Sequence, residues 1–404
     1  MRFEHLSVAL SAVVCAIVID GSGHFADADP SPTTFKIYGF AQADYIYDSQ
    51  RMDPDWVDAF RPSKIATPEG EFGSAGQSSV SVKQSRFGVT GTRQTDTDFG
   101  PINFKFEFDL FGVGVDEGQT TFRLRHAYAE WGPLLAGQTN SIFMDIDVLP
   151  NVIDYWGPVG MVFYRNVQFR YTPYRTENAS FAIGIERPGN DIDPGQIREI
   201  DPALGANIES DEKFPDLTMH YIYSDNWGHA QLAGILRRVG FDTLNTPNHN
   251  PMGAELGWGI NASGVIKLFE KDKILLQVAH GNGIASYIND GGTDLAPGGT
   301  LASPHAEAVP LTGVVAYYDR QWCEELSTSF GYSVTRVDNT ALQEATAFHK
   351  GQYASINLLW TPTSDILIGG EVLWGERTNN DGVNGKDIRF QFSVKYSWGA
   401  EFNI

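Results

Sequence analysis

The stretch Arg389-Phe390-Gln391-Phe392-Ser393-Val394-Lys395-Tyr396-Ser397-Trp398 decides the fold, because every even-numbered residue in it is apolar or aromatic and every odd-numbered one polar. Successive side chains of a β-strand point to opposite faces, so this strand has one greasy face and one wet face. The same period returns elsewhere. Ile102, Phe104, Phe106, Phe108 and Leu110 oppose Asn103, Lys105, Glu107 and Asp109, and Ala254, Leu256, Trp258, Ile260 and Ala262 oppose Glu255, Gly257, Gly259, Asn261 and Ser263. Ile366, Ile368, Gly370, Val372 and Trp374 oppose Asp365, Gly369 and Glu371, with Leu367 and Leu373 blurring the second face. Charged residues alternating with phenylalanine are costly in a dry core, whereas a barrel with lipid outside and water inside accommodates them.

Strand signals recur at 35–48, 78–92, 101–111, 120–132, 134–140, 163–173, 179–187, 215–225, 227–239, 253–268, 273–286, 309–320, 322–337, 350–361, 364–377 and 387–404. The prediction is an all-β protein, a 16-stranded antiparallel transmembrane β-barrel. Connections alternate in length: short links at 225–227, 319–321 and 361–364 separate long ones at 49–77, 188–214, 240–252, 287–308, 338–349 and 378–386. Transmembrane barrels have short turns on one side and long loops on the other, and an even strand number returns both ends to the short-turn side. Tyr45, Tyr47, Tyr221, Tyr223, Trp227, Trp322, Trp360, Trp374 and Trp398 lie near strand ends, as a set that suits two interfacial girdles.

Composition agrees with that reading. Apolar residues make up 42% of 404 residues, and no segment beyond the N-terminus approaches the ~18 apolar residues of a membrane helix. The half-apolar strands of a barrel escape such averages. Arg2 precedes a mainly apolar run from Leu6 to Ile19, followed by Ala26-Asp27-Ala28, which reads as a signal peptide over 1–28 with cleavage after Ala28 and a barrel over 29–404. Cys15 falls within that signal, which leaves Cys323 alone and no intrachain disulfide. The formal net charge of −21 disfavours nucleic acid as a partner. Acidic residues crowd 188–214, which reads as a solvated loop rather than a Ca²⁺ site, whereas Arg86, Arg93, Arg123, Arg125, Arg165, Arg170 and Arg175 concentrate in one section. No Gly-x-Ser-x-Gly elbow, His-Glu-x-x-His motif or paired-cysteine metal site is present, so neither an enzyme nor a cofactor or metal is expected.

Gln84-Ser85-Arg86-Phe87-Gly88-Val89-Thr90-Gly91, Leu124-Arg125-His126-Ala127-Tyr128-Ala129-Glu130-Trp131, Leu135-Ala136-Gly137-Gln138-Thr139 and Arg165-Asn166-Val167-Gln168-Phe169-Arg170-Tyr171 resemble successive early-strand motifs of Gram-negative trimeric porins. Among these the chain is most similar to the DcaP-like porins, over 35–404. The resemblance implies an outer-membrane homotrimer, surrounded by lipid and lipopolysaccharide, that passes small anionic solutes such as dicarboxylates. It also implies a third external loop folded into the barrel. The segment 140–165, where alternation collapses into an unusually apolar run, stands in that place. Its other reading is a misread strand or an interface loop.

With Phe122, Leu124 and Tyr128 facing lipid, parity sends Arg123 and Arg125 inward, and Arg170 follows from Phe169 and Tyr171. Arg86 is less regular, because Val80 and Val82 share its parity while Phe87 and Val89 do not. Arginines opposite Asp145, Asp147 and Asp154 set up a transverse field across a narrow pore, with Lys105 extending the path. The competing reading is that these arginines pair with Glu107, Asp109 or Glu130 and stiffen the wall. Parity points His126 toward lipid or a subunit interface. An outer-membrane barrel enzyme of the lipase or protease type and a secreted β-sandwich binding module are the alternatives from other classes. The first needs a nucleophile, base and carboxylate together at one rim; the second is soluble without detergent.

Overall fold

The computed structural model describes residues 33–112 and 121–403; the expected signal segment lies outside the described residues. The chain forms β1 (Thr33–Asp48), β2 (Gln77–Ser81), β3 (Arg86–Arg93), β4 (Ile102–Asp109), β5 (Arg123–Trp131), β6 (Leu134–Asn140), β7 (Arg165–Arg175) and β8 (Ala179–Glu186). It continues through β9 (Ile208–Ser210), β10 (Asp216–Asp225), β11 (Gly228–Thr243), β12 (Gly253–Leu268), β13 (Asp272–Asn282), β14 (Leu295–Thr300) and β15 (Ser303–Ala308). The last five are β16 (Pro310–Gln321), β17 (Leu326–Val337), β18 (Phe348–Thr363), β19 (Ile366–Asn379) and β20 (Asn384–Asn403). The β14–β15 hairpin stands apart within one long loop. β2 and β3 pair with opposite ends of β1, and β9 and β10 with opposite ends of β11. Each of those two pairs makes one stave, so the barrel is a closed antiparallel sheet of sixteen staves.

β20 pairs with β1 from Thr34 opposite Asn403 to Asp48 opposite Arg389, which removes the last free edge. Phe390, Phe392, Val394, Tyr396 and Trp398 are exposed on the outer face as the alternation predicts, while Arg389, Gln391 and Ser393 are buried inside. On the outer face of β1, Gly39 permits a close packing: an added Cβ would lie 2.7 Å from the Trp398 ring and 2.6 Å from the Arg86 carbonyl oxygen. Among the described residues no helix is long and apolar enough to cross a membrane.

The interior is filled in part by the apolar segment that the sequence reading places inside the barrel. Residues 141–164 run into the barrel and meet inward-facing wall residues in two apolar clusters. One joins Val148, Val159 and Met161 to Met52, Phe60 and Ile65 of the first long loop and to Leu275, Tyr317, Tyr353 and Leu373 of the wall. The other joins Phe143, Met144 and Val162 to Ala233, Ile235, Tyr287 and Leu311. Fully burying one such side chain is worth about 1.5–3 kcal/mol, which accounts for an apolar loop inside a barrel. It also accounts for the blurred face of β19, because Leu373 points inward onto this packing.

Candidate functional site

The inward loop is held along its length by polar contacts to the opposite wall. Glu371 on β19 accepts backbone N–H groups from Ile153 (3.0 Å) and Asp154 (2.8 Å). Asn357 Nδ2 donates to the Asn151 carbonyl, Gln391 Nε2 to that of Ile153 and Gln277 Nε2 to that of Gly160. Asp154 is sequestered: it accepts N–H groups from Phe60, Trp156 and Gly157 and lies 4.0 Å from the Arg389 guanidinium. Asp145 accepts from His229 Nε2 (2.8 Å) and Ser263 Oγ (2.7 Å). Asp147 is exposed beside it. Ligand atoms of Asp145, Asp147 and His229 lie within 4.8 Å of one another, close enough to hold a cation, but both donors already occupy one Asp145 oxygen and use the cluster as a loop anchor. Asp145 and Asp154 therefore fasten the loop and do not stand as a free acidic wall facing the arginines.

The arginines do converge. Glu107 and Asp109 on β4 project inward and gather cations from three strands. Arg125 donates from Nε to Glu107 (2.7 Å) and from Nη1 to Asp109 (2.9 Å), and Arg123 grips Asp109 with two hydrogen bonds of 3.2 and 2.7 Å. Lys105 Nζ lies 3.2 Å and Arg86 Nη1 3.7 Å from Glu107. Tyr38 donates to Glu107 and Tyr155 of the inward loop to Asp109 (2.7 and 2.8 Å), and the Tyr155 ring stacks on Phe111 at 3.6 Å. Arg165, which opens β7, has Arg125, Arg123, Arg86 and Asp109 as its charged neighbours. Five cations thus surround two carboxylates. Arg170 lies further along β7 and, among the described residues, donates only to neutral oxygens, Gln168 Oε1 and the Asn140 carbonyl.

Two features of this wall escaped parity. Register along β4 and β5 breaks between Glu107 and Phe108: Glu107 faces His126 and Phe108 faces Leu124, so Arg125 is the extra residue of a bulge. The bulge turns Arg123, Arg125, His126 and Tyr128 all inward. His126 is consequently buried, with Nδ1 3.0 Å from Thr139 Oγ1, and Tyr128 sits opposite Lys105. Both corrections have that one cause, since an inserted residue reverses the alternation. A second reversal lies at Ser81–Arg86, where the Ser85 N–H bonds the Val82 carbonyl in a turn between β2 and β3. Val80 and Val82 are exposed outside and Arg86 is inside, which resolves the irregular parity of that segment.

Two cavities flank the inward loop. One, of ≈870 Å³ and open to solvent, is lined by Arg86, Arg125, Lys395, Phe40, Tyr155 and Trp156 among others. The other, of ≈960 Å³, lies toward the long loops and includes Arg61, Lys64, Asp191, Trp156 and Phe163. Trp156 and Phe163 belong to both, so the two spaces meet at these rings. Arg61 is clamped between Trp56 and Trp156, 4.1 and 3.9 Å from their centroids, and bonds Asp290. The sequence reading counts Arg165 in its arginine cluster without placing it on the pore path, and it does not single out Arg61 or Tyr155. Lys395 is legible as inward from the final strand, whereas alternation gives Arg165 the parity of the exposed Val167, Phe169 and Tyr171, and only its charged neighbours show that its side chain reaches the arginine wall.

The model of a family described as DcaP outer membrane protein matches residues 26–398. Among curated proteins no match to the chain is found. Among solved structures, the outer membrane channel DcaP of Acinetobacter baumannii superposes with a TM-score of 0.75 at 22% identity, covering 90% of this chain and 97% of that one. An anion-selective porin from Comamonas acidovorans gives a TM-score of 0.54 at 10% identity, covering 91% and 100%. The trimer form of OmpT from Vibrio cholerae gives 0.53 at 11%, covering 91% and 99%.

Proposed function

The chain belongs to the DcaP outer membrane protein family and is an outer-membrane porin, and from that premise we propose that it is a diffusion channel for small anionic solutes, dicarboxylates among them. The observation that carries the reading is the excess of charge at the inward loop. Arg86, Lys105, Arg123, Arg125 and Arg165 surround only Glu107 and Asp109, beside a solvent-open gap that Arg86, Arg125 and Lys395 line. A net positive constriction with low-dielectric walls concentrates anions and repels cations. Glu107 and Asp109 hold the guanidiniums in place without neutralising them all. The acidic arm of a transverse field is weaker than expected, with Asp145 and Asp154 engaged elsewhere and Asp147 the free carboxylate of the three.

In this reading the working unit is a homotrimer in lipid and lipopolysaccharide, with Ala41 and Ala43 as a flat outer patch on β1 suited to a neighbouring subunit. Residues 1–28 serve as a cleaved export signal. Transport is passive and involves no catalysis or cofactor. Reversal potentials of the purified protein in planar bilayers under a KCl gradient test the proposal. Anion preference is the expected result, and cation preference would overturn it.

A further inference from the structure

We infer that Arg165 is the residue that captures a solute's anionic group at the constriction, an inference that rests on the anion-channel reading. The cations around it differ in how they are compensated. Arg123 and Arg125 are held by Asp109 and Glu107 at 2.7–3.2 Å, and Lys105 and Arg86 reach Glu107 at 3.2 and 3.7 Å. Those pairs explain themselves as wall structure. The Arg165 side chain has no carboxylate within 4.0 Å and makes no hydrogen bond among the described residues, and its Nε is buried without a partner. Its guanidinium carbon lies 5.0 Å from the centroid of the Phe163 ring, which lines both cavities. A half-buried guanidinium normally finds an anion or several carbonyls, because stripping its hydration is costly. Here three arginines stand around it as well, which raises the cost further. A carboxylate arriving from the pore is the missing complement. Arg165 can take it through two parallel N–H···O bonds, and the surrounding arginines add long-range attraction without giving up Glu107 and Asp109.

Arg165 then differs in role from Arg125, which the sequence reading favoured. Arg125 organises the wall and Arg165 binds the solute. Lys395, which lines the solvent-open gap, likewise has no carboxylate within 4.0 Å among the described residues, and Arg170 donates to neutral oxygens, so either can receive a released anion.

The test uses full-length protein in planar bilayers, with a KCl gradient for selectivity and succinate added to KCl as a blocking probe. Arg165→Gln is expected to lower the chloride-to-potassium permeability ratio about three-fold and to weaken succinate block about five-fold or more. Arg165→Lys is expected to keep the ratio and to weaken block about three-fold, since an ammonium cannot offer paired donors. Wild-type anion preference with unchanged block in a folded, heat-modifiable Arg165→Gln overturns the role of Arg165 and leaves the channel reading standing. Cation preference of the wild type overturns the channel reading and the inference with it. Should Arg165→Gln not reach the heat-modifiable form, Arg165→Lys decides: unchanged succinate block overturns the inference.

Discussion

Arg389 and Asp48 face each other across the seam of the barrel and close a bidentate ion pair, Nε to Oδ1 at 2.6 Å and Nη2 to Oδ2 at 2.9 Å, with both side chains buried. The last strand is thereby pinned to the first, beneath Phe60 and the Val57 carbonyl of the first long loop. Removing one partner leaves a buried charge alone, which costs about 3–5 kcal/mol. Arg389→Ala should lower the temperature at which the folded band is lost on unboiled gels, and Arg389→Met combined with Asp48→Leu should recover much of the loss. Equal stability of the single and double variants would refute the seam role.

Glu371 fastens the inward loop through the Ile153 and Asp154 N–H groups. Glu371→Ala strands both donors and should cost about 1–3 kcal/mol for each buried group left unpaired. The loop loses its far anchor, so single-channel conductance and open-channel noise should rise. Unchanged conductance and noise in a folded variant would mean that the remaining contacts suffice.

Glu107 neutralises part of the arginine wall. Glu107→Gln keeps the size and some hydrogen bonding but removes one negative charge from among five cations. Anion preference should increase by about two-fold or more in the reversal potential, at the cost of a lower unfolding temperature. A fall in anion preference would contradict the charge argument.

Asp191 lines the outer cavity, and burial together with the nearby Asp294 pushes its carboxyl above the usual carboxylate range, against an opposing pull from Arg237 and Arg61. A raised value means that the folded state favours the protonated form. The group's contribution to stability is therefore full below the unfolded value and is lost as pH rises through the raised one. Acidification should discharge Asp191 before ordinary surface carboxylates and increase anion entry. Asp191→Asn should show that increase already at neutral pH and lose this part of the pH dependence. An identical pH profile in the variant would exclude Asp191 as its source.

Much of the barrel was legible because alternation is a local property. The outer faces of β4, β12 and β20 follow directly from the period of two, and the turn positions follow from where that period stops. The site was legible in part. Arg170 and Lys395 sit on regular strands and parity placed them inward. Tyr128 and His126 were placed on the wrong face because one inserted residue at Arg125 resets the alternation, and nothing in the local pattern marks that insertion. Asp145 and Asp154 read as pore-lining acids, yet their partners His229, Ser263 and Arg389 lie far along the chain.

The sequence by itself determined a barrel with an apolar outside, a polar inside, long loops at one end and a segment at 140–165 too apolar to remain in water. These are consequences of side-chain period and of the cost of exposing apolar surface, and both act over a few residues. Only the tertiary structure decided which charges remain uncompensated. Whether Arg125 or Arg165 is free to hold an anion depends on how β4 and β5 fall into register and on how the inward loop docks against β18, β19 and β20. Ion pairing acts through space between residues that no local pattern relates.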